Sequence, residues 1–317
     1  MADSPKFRKT KRLISWMQLT GARGRLPRDR EEVFFKEHAA GTLDAQMVAS
    51  YSAWAGRVPE MEFMLRGDGK AIIRYAQNLR QNFGIAVDVI DELRDTILSD
   101  ADLLEWARKF GRLPPHLEER INEPAIAVTY SDYVVRGRLP VEMENRVFST
   151  QSALNVFNYI KIHHLGLVEG HLKECLVGST TAIVEYMKYL RSYGLKLPND
   201  LRDCLAGDNG SMLAWSRIYG RLPSHLEETL SDPPVCLDYA VSVLHGRLPL
   251  SAEACLLNDH KVAVDYAFKV IRGFAPCRLP EEIHASIIMK SFEFTDDPQI
   301  KRYVAACDSD PNRMGNK

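Results

Sequence analysis

The chain lacks the features that indicate catalysis, membrane insertion or strong electrostatic attraction. Among its 317 residues, 41 Lys and Arg nearly balance 42 Asp and Glu, so there is no overall attraction to nucleic acid or an anionic membrane. No stretch approaches the ~20 apolar residues of a membrane span, and the first residues have no apolar signal core. Nucleophile-elbow, zinc and dinucleotide-loop motifs are missing. The sequence therefore predicts no catalytic residue, no cofactor and no metal ion.

Cysteines are few, and none has the spacing of a metal ligand. All six lie in the second half of the chain, and three of them share one repeat position. This distribution predicts small apolar core residues in a reducing cytosol. The shared position is held by Cys175, Cys204 and Cys255, and the others are Cys236, Cys277 and Cys307.

What the chain does have is a recurring tetrapeptide, Gly-Arg-Leu-Pro. The complete copies are Gly24–Pro27, Gly111–Pro114, Gly137–Pro140, Gly220–Pro223 and Gly246–Pro249. Altered copies lie at Gly56–Pro59, Gly194–Pro198 and Cys277–Pro280, with weaker echoes from Gly84 and Gly166. The resulting period is about 27 residues. A fixed period of this length indicates an array of small units, none of which can bury its own apolar face.

Each unit is predicted to be a hairpin of two short helices. Asp232-Pro233 is typical of a helix start, because Asp caps free N–H groups and Pro fits the first turn. Gly246 fits the end of this helix A in a left-handed conformation, and Pro249 opens helix B. The residue seven positions after this Pro is usually apolar, and the residue three positions after it often is, so that both lie on one face of helix B. They are Phe34, Ile121, Val147, Leu205, Leu230, Leu256 and Ile287, and Leu117, Met143, Leu201, Leu226 and Ile283.

Helices this short are marginal alone, so they must be stabilised by stacking on their neighbours. The sequence therefore predicts an all-α protein, an α-solenoid of about ten αα-hairpin repeats. We expect one repeat domain over residues 1–307. A capping helix is predicted over residues 298–307, and residues 308–317 are expected to be a disordered tail.

Helix A carries one aromatic residue in every unit. We interpret this ladder as the core between repeats, and base stacking is the alternative interpretation. The ladder consists of Trp16, Tyr51, Tyr75, Trp106, Tyr130, Tyr159, Tyr186, Trp215, Tyr239 and Tyr266, and Tyr303 repeats the pattern.

An arginine ladder accompanies the turns. Five of its seven members have Glu six positions later, which favours local ion pairs, whereas tracking of phosphates is the alternative. The arginines are Arg25, Arg57, Arg112, Arg138, Arg221, Arg247 and Arg278, and the acids are Glu31, Glu118, Glu144, Glu227 and Glu253.

The unit Asp-Pro…Tyr-Ala…Gly-Arg-Leu-Pro…Leu-Glu…Leu resembles short helical repeats of the Gly-Arg-Leu/Trp-Pro type in proteins of large tailed bacteriophages. Residues 231–257 match best, and the similarity covers roughly residues 14–290. The resemblance implies a protein of the infected-cell cytoplasm that is not an enzyme. The chain departs from the pattern at Gly84–Val87, at Gly166–Glu169 and by the insertion Phe274–Cys277.

Arrays of this kind usually hold partners. We therefore expect a protein-interaction scaffold or adaptor in the cytoplasm, the host cytoplasm if the protein is viral. The alternatives are an RNA- or single-stranded nucleic-acid-binding solenoid that uses the two ladders, and an enzyme without recognisable motifs. Partner contacts are predicted at three irregular segments, because departures from a local rule are often functional. The segments are Phe83–Asp91, His163–His171 and Gly273–Cys277, and the residues singled out are Phe83, Asp88, His163, His164, His171 and Phe274.

Overall fold

The computed structural model describes residues 8–271, 279–293 and 296–308, and all regular secondary structure in these ranges is helical. The all-α class predicted from the sequence is therefore confirmed. The chain divides into two compact units, Met1–Phe148 and Ser149–Lys317. A single repeat domain over residues 1–307 stays a prediction.

The first unit alternates longer helices with short ones. Its α-helices are α1 (Arg8–Thr20), α2 (Arg28–Ala39), α3 (Ala45–Ala55), α4 (Gly69–Phe83), α5 (Asp91–Arg94), α6 (Asp100–Phe110), α7 (Pro115–Glu118), α8 (Pro124–Tyr130) and α9 (Val141–Val147). Pro59–Leu65 and Val87–Ile90 are 3₁₀ segments, and Ser131–Val135 is a π-helical extension of α8.

The second unit has the same alternation. Its α-helices are α10 (Ala153–Ile162), α11 (His171–Leu176), α12 (Thr180–Ser192), α13 (Asn199–Asp203), α14 (Asn209–Tyr219), α15 (Ser224–Glu227), α16 (Pro233–Tyr239), α17 (Leu250–Glu253), α18 (His260–Tyr266), α19 (Glu281–Glu293) and α20 (Pro298–Asp308). Thr150–Ser152 and Ala254–Asn258 are 3₁₀ segments, and π segments extend α16 (Ala240–Leu244) and α18 (Ala267–Ile271).

Within each unit, the first helix of one hairpin packs on the first helix of the next. In the first unit α1 contacts α3, α3 contacts α4, α4 contacts α6, and α6 contacts α8. In the second unit the same relation joins α10, α12, α14, α16, α18 and α20 in order. Each hairpin thus buries its apolar face against its neighbours in sequence, as short helices require.

Most of the first helices begin at a capping side chain, as the sequence predicted. Asp208 accepts a hydrogen bond from the Ser211 backbone N–H at 3.1 Å, and Asp259 accepts one from that of Lys261 at 3.0 Å. These bonds satisfy donors that the first turn of a helix leaves unpaired. Asp232 is an exception, since its side chain makes no such bond and Pro233 opens α16 without it.

The ends of the first helices correct one prediction. Gly246 does not adopt the left-handed conformation; the preceding His245 does, with φ 50°, and Arg136 before Gly137 has φ 52°. In both units the π segment adds residues after the ladder tyrosine, so the residue with positive φ is the one before Gly. The first helices α3, α6 and α14 have no π segment, and there Gly itself has positive φ, at Gly56, Gly111 and Gly220.

The core confirms most of the predicted apolar pattern. All of the apolar positions predicted on helix B are buried, and so are eight of the ten ladder aromatics and Tyr303. The ladder prediction is wrong for Trp16, which is 44% exposed, and for Trp215, which is only partly buried. Among the cysteines of the shared repeat position, Cys175 and Cys255 are buried, whereas Cys204 is intermediate.

One position of the second unit requires glycine, because another backbone segment lies very close to it. A Cβ added at Gly178 would lie 1.9 Å from the Thr150 carbonyl oxygen, which is far inside van der Waals contact. Nearer the end of the chain, α20 covers the predicted capping helix and includes Asp308. The rest of the predicted disordered tail lies outside the described residues.

Candidate partner-binding site

The repeated arginine, glutamate and tyrosine form one hydrogen-bonded group, which we call the turn triad. Arg221 Nε and Nη2 donate to Glu227 Oε1 and Oε2 at 2.9 and 3.0 Å. The Tyr239 hydroxyl, from the next repeat, donates to Glu227 Oε1 at 2.6 Å and accepts from the Leu222 backbone N–H at 2.9 Å. One phenol therefore joins helix A of a repeat to both the turn and helix B of the repeat before it.

The same triad recurs in both units. It comprises Arg25–Glu31–Tyr51, Arg57–Glu62–Tyr75, Arg112–Glu118–Tyr130 and Arg247–Glu253–Tyr266. In each, the backbone N–H of the residue after Arg donates to the tyrosine hydroxyl. Arg138 and Glu144 form the bidentate ion pair as well.

Burial and charge hold the proton of this group on tyrosine. Burial and the hydrogen bond to Glu118 raise the pKa of Tyr130 above its ordinary value. Burial opposes ionisation of Glu118, but hydrogen bonds from Arg112 and Tyr130 outweigh it, so the pKa of this carboxyl is lowered. The triad therefore holds a neutral phenol between a carboxylate and a backbone donor, and it acts as a structural clamp between neighbouring repeats.

These contacts support the structural interpretation of the arginine ladder. Among the paired arginines of the ladder, the Arg57 side chain is the least exposed, at 34%, and that of Arg221 the most, at 67%. Each nevertheless donates to a largely buried carboxylate. A guanidinium engaged in this way has lost much of its capacity to bind a phosphate in the same plane. Arg278 lies outside the described residues.

Two layers keep the tyrosine contact without the glutamate. Near Gly166, which has no arginine after it, the Tyr186 hydroxyl donates to the Gly166 carbonyl oxygen at 3.0 Å and accepts from the Val168 backbone N–H at 2.9 Å. In the last hairpin His284 takes the place of glutamate, and its Nδ1 lies 2.8 Å from the Tyr303 hydroxyl. The tyrosine contact to the preceding turn is thus kept even where the acid is absent.

The predicted contact residues of the first unit lie at the end of α4 and in the segment after it. The Phe83 ring is 41% exposed and lies over the preceding turn, where a Cβ on Gly56 would be 3.5 Å from its Cε1. Asp88 is exposed in the 3₁₀ segment Val87–Ile90, beside Val89, which is 42% exposed. Phe83 and Asp88 are therefore accessible, and their role in binding stays a prediction.

The predicted histidines of the second unit each engage a different neighbour. His163 packs edge-on against Tyr159, with 4.7 Å between ring centroids. His164 is exposed, with its Nδ1 3.3 Å from the Tyr193 hydroxyl. His171 Nε2 lies 3.4 Å from Cys175 Sγ. The remaining predicted residue, Phe274, lies outside the described residues with the whole segment Gly273–Cys277.

An exposed aromatic patch in the first unit escaped the sequence analysis. Phe35 on α2 and Phe63 on the segment Pro59–Leu65 are 36% and 45% exposed, and their ring centroids lie 6.4 Å apart. His38 meets Phe63 edge-on at 5.0 Å. The available signal was a phenylalanine one position beyond the buried Phe34, and thus off the apolar face of helix B.

A groove of about 670 Å³ adjoins this aromatic patch. Arg25 lines this groove, and its guanidinium is paired with Glu31 at 2.8 Å and with Glu60 at 3.1 Å. The exposed carboxylates Glu32 and Glu60 form a polar rim beside the Phe35 ring. The lining residues are Arg25, Leu26, Arg28, Glu31, Glu32, Phe35 and Glu60.

Comparison with known proteins found no match to this chain. No protein-family model matches the chain, and neither a curated protein nor a solved structure matches it. Within the described ranges, no three histidine, cysteine or acidic side chains are grouped so that they could hold a metal ion. None of the described helices is both long and apolar enough to cross a membrane.

Proposed function

We propose that the chain is a non-enzymatic protein-interaction scaffold or adaptor, built as an α-solenoid of about ten αα-hairpin repeats. Neighbour-to-neighbour packing of the first helices within each unit supports this architecture. On the resemblance of the repeat, we further propose a bacteriophage factor that binds a host protein in the host cytoplasm.

The observation that carries the proposal is a difference between the repeated side chains and the variable ones. Residues fixed by the repeat are used in the core and in the turn triads, whereas the variable residues Phe35 and Phe63 leave aromatic surface in water. Exposed apolar surface with a polar rim is typical of protein-interaction sites. We propose that a protein partner inserts apolar side chains at Phe35 and Phe63 and places basic groups against the rim carboxylates Glu32 and Glu60.

The alternative function, nucleic-acid binding along the two ladders, has lost much of its support. Eight of the ladder aromatics are buried, and the arginines from Arg25 to Arg247 are paired with carboxylates. A strand would have to displace these carboxylates before it could use the arginines. A protein partner can bury the rings of Phe35 and Phe63 without breaking the ion pairs between these arginines and their buried carboxylates.

The test is affinity capture from an extract of the native cells with the full chain as bait. The double variant Phe35→Ser/Phe63→Ser removes the aromatic patch, and Leu19→Ser, at a side chain that is 87% exposed, is the matched control. We expect the wild type and the control to retain the same protein at a stoichiometric level and the double variant to lose it. Equal retention by all three baits, or recovery of RNA alone, would contradict the proposal. Circular dichroism of each bait verifies that the fold is intact.

A further inference from the structure

One layer of the second unit replaces all three side chains of the turn triad. Lys196 stands where the regular layers have arginine, Arg202 where they have glutamate, and Trp215 where they have tyrosine. Since Arg202 cannot accept a hydrogen bond from Lys196, it donates to Asp203 Oδ1 at 2.8 Å and to Asn199 Oδ1 at 3.1 Å. This layer keeps the positive charge of the turn and lacks the carboxylate that neutralises it elsewhere.

A pocket of about 370 Å³ opens at this layer, a volume typical of small-molecule sites. It lies between the end of α12, the turn before α13, α13 itself and α14. The lining residues are Arg191, Lys196, Leu197, Asn199, Arg202, Trp215, Ile218 and Tyr219. The pocket therefore combines three cationic side chains with two aromatic rings.

Several polar groups of the pocket are donors without a partner among the described residues. Neither the Arg191 nor the Lys196 side chain makes a hydrogen bond or ion pair with a described residue. The backbone N–H of the largely buried Leu197 also has no acceptor in the described part of the chain, because an indole lacks the oxygen that tyrosine presents to this N–H in the regular layers. Donors of this kind select an anion with several acceptor oxygens.

The aromatic side of the pocket is formed by α14. Trp215 and Tyr219 lie one turn apart, with 5.3 Å between ring centroids and 43° between ring planes. The Tyr219 hydroxyl is directed to the Leu195 carbonyl oxygen at 3.4 Å. Trp215 is partly exposed here, unlike the ladder aromatics of the regular layers, and it lines the pocket.

From this arrangement we infer that the pocket binds a nucleotide, with the phosphate between Arg191, Lys196 and the Leu197 N–H and the base against Trp215. A phosphate carries a charge of about −2 and three acceptor oxygens, which matches donors from three directions better than a carboxylate does. Stacking of a base on an aromatic ring contributes about 1–3 kcal/mol. The nucleotide is either free or part of a single strand. This inference does not rest on the proposed protein-binding function, which concerns the other unit.

The experiment measures binding of defined probes to the full-length protein by isothermal titration calorimetry. The probes are inorganic phosphate, AMP, UMP, a single-stranded ten-nucleotide oligo(dT) and hexaglutamate. Lys196→Gln removes one cation of the pocket, and Lys188→Gln is the matched control on α12, at a lysine paired with Glu185. The triple variant Lys196→Arg/Arg202→Glu/Trp215→Tyr rebuilds a regular turn triad in place of the pocket.

We expect AMP or UMP to bind more tightly than inorganic phosphate, and Lys196→Gln to weaken binding about tenfold or more. Lys188→Gln leaves the affinity within about twofold, and the triple variant folds normally and abolishes binding. Oligo(dT) binding tighter than that of the mononucleotides identifies a strand as the source, and equal or weaker binding identifies the free nucleotide. The inference is overturned if no nucleotide probe binds at about 1 mM, if binding survives in the triple variant, or if hexaglutamate alone binds.

Discussion

The hydroxyl of Tyr239 lies 2.6 Å from Glu227 Oε1 and thereby joins two neighbouring repeats in the buried part of that layer. It also accepts from the Leu222 backbone N–H, and Arg221 holds the other side of the carboxylate. Both Tyr239 and Glu227 are buried. Loss of this hydroxyl therefore leaves a buried carboxylate short of one donor and a buried N–H without its acceptor.

Replacement of Tyr239 by Phe should cost about 1–3 kcal/mol of unfolding free energy, the usual effect of leaving buried polar groups unsatisfied. The matched control is Tyr133→Phe, at a tyrosine that is 60% exposed, which should change stability by less than about 0.5 kcal/mol. Urea denaturation followed by circular dichroism measures both. Equal midpoints for the two variants would contradict a clamp role for the hydroxyl.

The triad also predicts how stability changes in alkali. Burial and the hydrogen bond to Glu227 raise the pKa of Tyr239 above its ordinary value of 10.0. The folded state therefore holds this proton more strongly than the unfolded state, so its contribution is complete below the unfolded pKa and is lost as the pH rises toward the folded pKa. Stability should fall between about pH 9 and about pH 11, and it should fall less in Tyr239→Phe.

The alkaline measurement compares urea midpoints of the wild type and Tyr239→Phe at both pH values, because lysine titration is common to the two proteins. Absorbance of phenolate in the folded wild type independently measures the pH at which its tyrosines ionise. If the two proteins lose the same stability, the buried phenol is not a source of the alkaline loss.

The aromatic ladder predicts unequal effects of truncation. Tyr239→Ala removes a fully buried ring and should cost about 3–5 kcal/mol, whereas Trp16→Ala, at a ring that is 44% exposed, should cost less than about 1.5 kcal/mol. Thermal unfolding of the two variants beside the wild type measures the difference. A similar loss in both would mean that Trp16 contributes to the core after all.

Gly178 is predicted to tolerate no side chain. In Gly178→Ala the new Cβ meets the Thr150 carbonyl oxygen, so the backbone must shift at a cost of about 1–3 kcal/mol. Gly210→Ala is the control, because the nearest atom to its added Cβ is 3.6 Å away and alanine favours a helix. Gly210→Ala should be neutral or slightly stabilising, and a larger loss there than at Gly178 would refute the close-approach argument.

Periodicity was enough to predict the helices and most of the core. The positions of Leu226 and Leu230 after Pro223, and of Tyr239 after Asp232, follow from one repeated pattern and local helix geometry. The Tyr239–Glu227 hydrogen bond could not be predicted with the same ease, because it depends on how one hairpin packs on another. The sequence signal was present as Glu six positions after Arg, but the tyrosine was assigned to apolar packing alone.

The candidate sites were harder to predict because they consist of residues that depart from the repeat pattern. Trp215 counted as one more ladder aromatic, and its pairing with Lys196 and Arg202 is visible only when three positions are compared with the regular layers together. Phe35 adjoins the regular apolar position Phe34, and its exposure depends on the direction of α2. The predicted histidines stood out as a cluster in sequence, yet the structure gives each a separate neighbour.

The π segments that follow Tyr130 and Tyr239 allow repeats of two lengths to occur within one chain. Whether or not a π segment follows, the ladder residue lies seven positions after the residue that precedes the helix. Tyr239 follows Asp232 in this way, and Trp215 follows Asp208. Extra residues enter only after that point and are taken up by the π turn and the left-handed residue before Gly. The extra residues therefore leave the spacing from the helix start to the ladder tyrosine unchanged, so the hydrogen bonds that Tyr130 and Tyr239 make with the preceding turn are the same as in repeats without a π segment.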